Sequence, residues 1–366
     1  MSLFPTDLAS IQARIDAIDP VAYGHTRNYT DGAVTRLSPY ISRGVISTRQ
    51  VLQRVLARGY RLHAIESFVK ELAWRDYFQR VWQERDVDED LRRPQEDVRH
   101  YELPSALPRA ATGIDAVDAA LRDLFRTGYL HNHCRMYVAA LACNIGRAHW
   151  RSPARWLYYH LLDGDWGSNA CSWQWVAGSN SNKKYVANQE NISRFTRTAL
   201  ADSYLDRPVE ELLGIAIPPP LIDTEPFVAE TQLPATATPR LDPSLPVYLY
   251  NYYHLDPLWR AHETANRVLL LEPELFARYP VSPLCIDFML RLAEGISDLQ
   301  IFTGSFAELR ALHPGLEFVF REHPLNRHYT GTADAREWLS SAVSGYFPSF
   351  FAYWKRLEPA LKKEYA

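Results

Sequence analysis

This chain has no long hydrophobic run, no paired cysteines and no glycine-rich phosphate loop, and each absence removes a class of protein. No stretch approaches the roughly 18 consecutive apolar residues that a membrane-spanning helix needs. The N-terminus, MSLFPTDLASIQARIDAIDP, carries acids where a secretion signal needs an apolar run. The sequence therefore reads as cytoplasmic, with no membrane partner. Cys134, Cys143, Cys171 and Cys285 lack CxxC spacing, which supports neither a disulfide framework nor a zinc or iron–sulfur site. His131 and His133 face apart on a helix and have no third ligand spaced to join them, so no metal is expected.

What is present is 366 residues at 47% hydrophobic content, enough for one large core or two moderate ones. The formal net charge of −3 is unevenly spread: residues 1–200 hold 26 Lys+Arg against 21 Asp+Glu, and the rest hold 14 against 22. Phosphate binding depends on a local basic face, so a polyanion partner for the first part stays open.

From about Ser10 to Phe195 apolar residues recur at helical spacing, as in 67–82, 114–128 and 131–146, the last two closed by Gly128 and Gly146. Nine prolines follow in 205–246, which reads as a linker. Short apolar runs then appear at 247–253, 267–273, 299–304 and 316–322, with a helix at 282–296. This alternation predicts a small parallel α/β sheet. After its first run stands YHLDPLWRAHE instead of GxGxxG, so nucleotide binding by that sheet is unsupported. The expected fold is an all-helical domain over 1–204, a linker over 205–246, and a Rossmann-like α/β domain with a helical tail over 247–366.

Chemistry concentrates in DGDWGSNACSWQW, where Asp163, Asp165, Asn169, Trp166, Trp173 and Trp175 offer hydrogen bonds, counter-charge and stacking faces for a flat redox ligand. On the helix 67–82, Glu71, Trp74 and Arg75 share one face; on 131–146, Asn132, Arg135 and Met136 do. In TRLSPYISRG, Thr35 and Ser38 precede or meet a Pro-Tyr step with Arg36 and Arg43 near, a turn suited to a pyrophosphate or to an ordinary helix cap.

Thr35–Gly44, ELAWRDYF, TGIDAVDAALRDL, LHNHCRM and DGDWGSNACSWQW together resemble, in order and approximate spacing over about residues 20–195, the FAD-binding helical domain of the DNA photolyase/cryptochrome family. The resemblance implies FAD as cofactor. It places Tyr23, Thr35, Arg36, Leu37 and Ser38 on its phosphate side, and Phe68 where relatives have an aromatic. Arg135 and Asp163 become an ion pair beside the reactive ring edge, Asp165 faces the ring's polar edge and ribose, and Asn169 lies next to N5. Glu71, Trp74, Asn132, Met136 and Trp175 match the lesion-facing set of cyclobutane pyrimidine dimer photolyases, Asn132 also counting as a cofactor contact. Trp74 and Trp175 would wall a flipped dimer, and Arg27 and Arg75 suit phosphate or flavin contacts. The implied reaction is light-driven: one electron passes from excited reduced FAD to the dimer, the ring splits, and the electron returns. DNA containing pyrimidine dimers is the implied partner, and the protein a monomer.

Trp173 and Trp150 match the first two members of the family's photoreducing tryptophan chain. The third is missing, since the segment before TG reads ALPRAA, and Trp156, Tyr158 or Tyr159 offer another exit. The runs from 247 on resemble the early strands of the family's antenna domain, which makes the chain a permuted relative with a shortened α/β domain; no antenna chromophore is identified. Two rival functions are a cryptochrome-like photoreceptor without repair and a flavin reductase without DNA.

Overall fold

The computed structural model describes residues 3–199 and 202–365. In chain order its elements are α1 (Leu8–Asp16), α2 (Pro20–Thr26), α3 (Ser38–Ser42), α4 (Thr48–Leu56), α5 (Glu66–Glu84), β1 (Leu103–Pro104), α6 (Asp115–Thr127), α7 (Asn132–Ala140), α8 (Arg151–His160), α9 (Trp166–Ala177), α10 (Gln189–Thr196) and β2 (Thr224–Glu225). Then follow β3 (Val247–Tyr250), β4 (Asn266–Leu271), α11 (Pro273–Arg278), α12 (Pro283–Ala293), β5 (Leu299–Thr303), α13 (Phe306–Leu312), β6 (Phe318–Arg321), β7 (Thr332–Asp334) and α14 (Phe350–Glu364). Packing divides the chain into two compact units that are discontinuous in sequence, one from residues 1–18, 35–83 and 230–366, the other from 19–34 and 84–229. The division expected from the sequence is contiguous, with breaks at 204 and 246.

The first unit contains a five-stranded parallel sheet in the order β5-β4-β3-β6-β7. Residues alternate across it: Val247 and Leu249 join Val268, Leu270, Phe302, Phe318 and Phe320 in one core with Phe306 and Leu309 of α13. Tyr248 and Tyr250, on the opposite face, meet Trp259 at ring distances of 5.4 and 5.2 Å. Ser305 and Glu308 form a capping box that starts α13, and Ser47 and Gln50 one that starts α4.

Helix α5 belongs to this unit because its polar side is satisfied there. Asp76, only 4% exposed, accepts from Thr48 Oγ1 and from the Leu339 N–H, both at 2.7 Å. Burial raises its pKa and these two donors oppose the rise. Arg80 donates to the Val343 carbonyl at 2.6 Å and lies 4.1 Å over the Trp338 ring. Gly44 has φ +63°, and a Cβ there would sit 2.4 Å from the Tyr253 carbonyl oxygen, so both torsion and space demand glycine.

The second unit is built on α9, which packs against α7 and α8. Asp165 caps α9, accepting from the Ser168 N–H at 2.8 Å, and Gly178 closes it at φ +87°. Trp150, Trp156 and Trp166 are among its largest fully buried side chains. Gly128 ends α6 in the left-handed region as expected, whereas Gly146 has φ −80° and follows a single π-helical turn, Leu141–Ile145.

The four apolar runs are β3, β4, β5 and β6, and the mixed helical and parallel-sheet class is as expected. Three features differ. A fifth strand, β7, extends the edge; residues 251–265 between β3 and β4 are turns without a helix; and the tail is helical only from Phe350. Gly345 at φ +82° and Pro348 interrupt helical geometry before that point.

Candidate functional site

In the second unit α7 and the α8–α9 turn bring Arg135 and Asp163 together. Arg135 Nη2 donates to both carboxylate oxygens at 3.0 and 2.8 Å, and its Nε donates to the Leu130 carbonyl at 2.8 Å. The Asp163 side chain is 3% exposed and that of Arg135 23%. A buried carboxylate without this partner would be an uncompensated charge, which is why the two residues form a unit.

The first turn of α9 carries the remaining polar groups. One Asp165 oxygen is committed to the helix cap. Asn169 donates its Nδ2 to the Ala154 carbonyl at 2.8 Å, so the atom it presents elsewhere is the acceptor oxygen. Between them, Ser168 Oγ is buried without a hydrogen-bond partner. A polar atom in that position costs free energy unless a ligand satisfies it.

Aromatic candidates in this unit differ in depth. Trp173 is 2% exposed, Trp150 fully buried, and Trp175 40% exposed with its ring 5.9 Å from Tyr185. Met136 is half-buried and Asn132 exposed at the start of α7. Tyr23 and Arg27 are half-buried on or beside α2. Burial lowers the pKa of His133, and the nearby Arg27 lowers it further.

In the first unit Leu37 and Phe68 are each 2% exposed, Thr35 Oγ1 accepts from the Leu37 N–H at 3.3 Å, and Arg36 holds an exposed left-handed turn at φ +53° just before α3. No side chain caps α3, with Ser38 in its first turn. Arg75 donates to Ser42 Oγ at 2.9 Å, and Glu71 is half-buried one turn before it. Trp74 lies against Phe350 of α14, ring centroids 3.8 Å apart and planes 8° from parallel. The same unit holds a polar cleft of about 600 Å³, partly open to solvent, where β3 and β6 end; His254, Asp256, Arg321 and Arg336 line it. Burial raises the Asp256 carboxyl to about 6.

Sequence reasoning missed three contributors. Asp88 and Asp90 accept from the indole N–H groups of Trp166 and Trp150 at 3.1 and 2.7 Å; the acidic run DVDED was their signal, and it reads equally as a solvated loop. Phe350 carried no signal, because its partner lies more than 270 residues away.

In this helical unit the central helix presents an anchored amide and an unpartnered hydroxyl, with a buried ion pair beside its start, an arrangement suited to a polar ligand. Residues 68–225 match the family model described as the FAD binding domain of DNA photolyase. Deoxyribodipyrimidine photo-lyase of Streptomyces griseus is 33% identical over 171 residues, 44% of this chain and 37% of that protein. A photo-lyase of Thermus thermophilus is 34% identical over 182 residues, 47% of this chain and 41% of the relative. The chain thus spans about two fifths of these relatives. Among solved structures, a class III photolyase from Agrobacterium tumefaciens is similar with a TM-score of 0.40 and 28% identity over 51% of this chain and 43% of that one.

The cofactor of this domain family is FAD, and the residues fit it: the unsatisfied Ser168 hydroxyl lies in one helical turn with Asp165 and Asn169. Tyr23, Arg27, Thr35, Arg36, Leu37 and Ser38 lie outside the matched span. Among the described residues no three His, Cys, Asp or Glu gather as a metal site, and no helix is long and apolar enough to cross a membrane.

Proposed function

We propose that the protein binds FAD and repairs cyclobutane pyrimidine dimers in DNA under light. The observation that carries this reading is the Arg135–Asp163 pair beside the polar first turn of α9, within a span that matches a photolyase FAD domain. When bound, reduced FAD supplies the electron that splits the dimer. Arg135 and Asp163 balance charge beside the ring, each neutralising the other in a poorly solvated position. Asn169, held by Ala154, offers an acceptor to a ring N–H, and Ser168 offers a hydroxyl. Asp165 is the proposed ribose or ring-edge contact. On the phosphate side the proposed contacts are Tyr23, Thr35, Arg36, Leu37, Ser38 and Arg75, with Phe68 as an aromatic wall. Glu71, Trp74, Asn132, Met136 and Trp175 are the proposed lesion contacts, with Arg27 on DNA phosphate, and Trp173 and Trp150 carry electrons to the flavin.

One observation favours a second reading, a blue-light receptor without repair: Phe350 occupies a face of Trp74. A damaged base stacked on that face would have to displace it. The deciding experiment illuminates FAD-loaded, reduced protein with a dimer-containing oligonucleotide and counts restored thymines. Restoration supports repair; bound reduced flavin with no restoration rejects it and leaves the receptor.

A further inference from the structure

The sheet of the first unit grows outward from β3 in both directions, with β4 and β5 on one side and β6 and β7 on the other. Where connections leave neighbouring parallel strands in opposite directions, the loops part and open a crevice at the carboxyl edge. The polar cleft of about 600 Å³ lies there. His254 and Asp256 follow β3, Arg321 ends β6, and Arg336 follows β7.

The floor of this cleft is unsatisfied and electropositive. His254 is 4% exposed, yet its Nε2 has no hydrogen-bond partner among the described residues, and neither has the buried Nε of Arg321. Glu337 stays 3.9 Å from Arg321 and accepts instead from Ser47 Oγ at 2.7 Å. Asp76 is bound by Thr48 and the Leu339 N–H, and Asp256 accepts from the Leu258 N–H at 2.9 Å. Arg336 donates to the neutral Gln79 Oε1 at 2.6 Å. Burial lowers the pKa of His254, Arg321 and Arg336 lower it further, and Asp334 opposes them. Burial likewise lowers His323 beside the cleft, with Arg336 and Arg75 adding to it. Rings that neighbouring guanidiniums help keep unprotonated lie in a positive potential, which favours an anion.

The shape of the lining narrows the class of anion. Tyr253 stacks on His323 at 4.5 Å and 13°, and His254 on Tyr250 at 5.5 Å and 10°. Trp338 lies beneath the guanidiniums of Arg80 and Arg336, at 4.1 and 5.1 Å. Each ring already gives a face to a neighbour, so the lining offers N–H donors more than stacking surface. A compact oxyanion uses such donors, and the guanidinium fork matches its oxygens.

We propose that this cleft binds a phosphate group, held by Arg321 and Arg336 at the carboxyl ends of β6 and β7. Side-chain guanidiniums here replace the glycine-rich loop that is missing after β3. The group belongs to inorganic phosphate or to a small phosphomonoester, which present the same oxygens. The site does not rest on the flavin reading.

The test titrates inorganic phosphate into the full-length, FAD-loaded protein at constant ionic strength, read by calorimetry and by phosphorus NMR line width, with sodium chloride as the control salt. The expected result is saturable binding, weakened about tenfold or more in Arg321→Gln and in Arg336→Gln. Arg291→Gln, which removes an exposed charge paired with Asp287 on α12, should bind as the parent does. Arg321→Lys keeps the charge without the fork and should still lose about tenfold, which guards against a Gln variant that fails to fold. Glycerol phosphate forms the second arm: tighter binding than inorganic phosphate assigns the site to a phosphomonoester, and equal or weaker binding assigns it to the free ion. A response that does not saturate, an equal response to chloride, or an equal loss in Arg291→Gln overturns the site as general charge screening. Phosphate binding that disappears once FAD is loaded overturns it as part of the flavin's own place.

Discussion

In the unit built from residues 19–34 and 84–229, candidate side chains are fixed by polar bonds to neighbours on adjoining elements, as in Arg135 to Asp163 and Asn169 to Ala154. In the unit built from 1–18, 35–83 and 230–366, Trp74 is instead fixed by an apolar ring from the far end of the chain. Polar anchoring holds a group in one orientation while leaving its other atoms available. Ring stacking fills the very face that a planar ligand would use. The first arrangement is prepared for a ligand, and the second competes with one.

The largest expected effect breaks the polar side of this contrast. Asp163→Ala strands Arg135 in a mostly buried position and should cost about 3 kcal/mol of stability and the co-purifying flavin. Denaturant titration and the flavin-to-protein absorbance ratio measure both, and a loss under about 0.5 kcal/mol would show that the pair holds nothing.

A second effect belongs to the cleft of the sheet-bearing unit. Asp256 has its pKa raised to about 6 in the folded chain, so the folded state binds its proton more tightly than the unfolded one. Its contribution is fully present below the ordinary carboxyl pKa and is lost as pH rises through about 6. Asp256→Asn should therefore match the parent near pH 4 and exceed it at pH 7 by about 2 kcal/mol, read as melting curves across that range. A constant difference at all pH values would contradict the assignment.

The ring contact is tested by Phe350→Leu, which keeps apolar volume but removes the stack. It should cost about 1 kcal/mol and tighten binding of a dimer-containing oligonucleotide. Weaker binding would mean that Phe350 supports the ligand instead of competing with it. The smallest effect is Ser168→Ala: without flavin its stability should change little, whereas flavin affinity should fall by about 1 kcal/mol, near fivefold, by titration calorimetry. Equal affinity would remove Ser168 from the site.

Legibility in the sequence followed the distance between partners. The strands β3 to β6 were readable because each is a compact apolar run, whereas β7 is three residues, Thr332–Asp334, at an exposed edge. The Asp163–Trp175 cluster was readable because its polar and aromatic residues adjoin in sequence. The grouping of α5 with the C-terminal segments was not readable, since Asp76 and Leu339 meet only in space. The acidic anchors of the tryptophans were hidden for the same reason, Asp90 lying 60 residues before Trp150.

The Asp76–Leu339 bond also sets what recombination can do to this chain. A gene shortened between codons 226 and 339 would still encode the whole FAD-domain match, yet would leave a buried acid on α5 facing a missing donor. Exchange of modules at the proline-rich stretch would do the same. The N-terminal helices and the last hundred residues are therefore heritable only as a pair, and a crossover that looks clean in the sequence would cut through one folding unit.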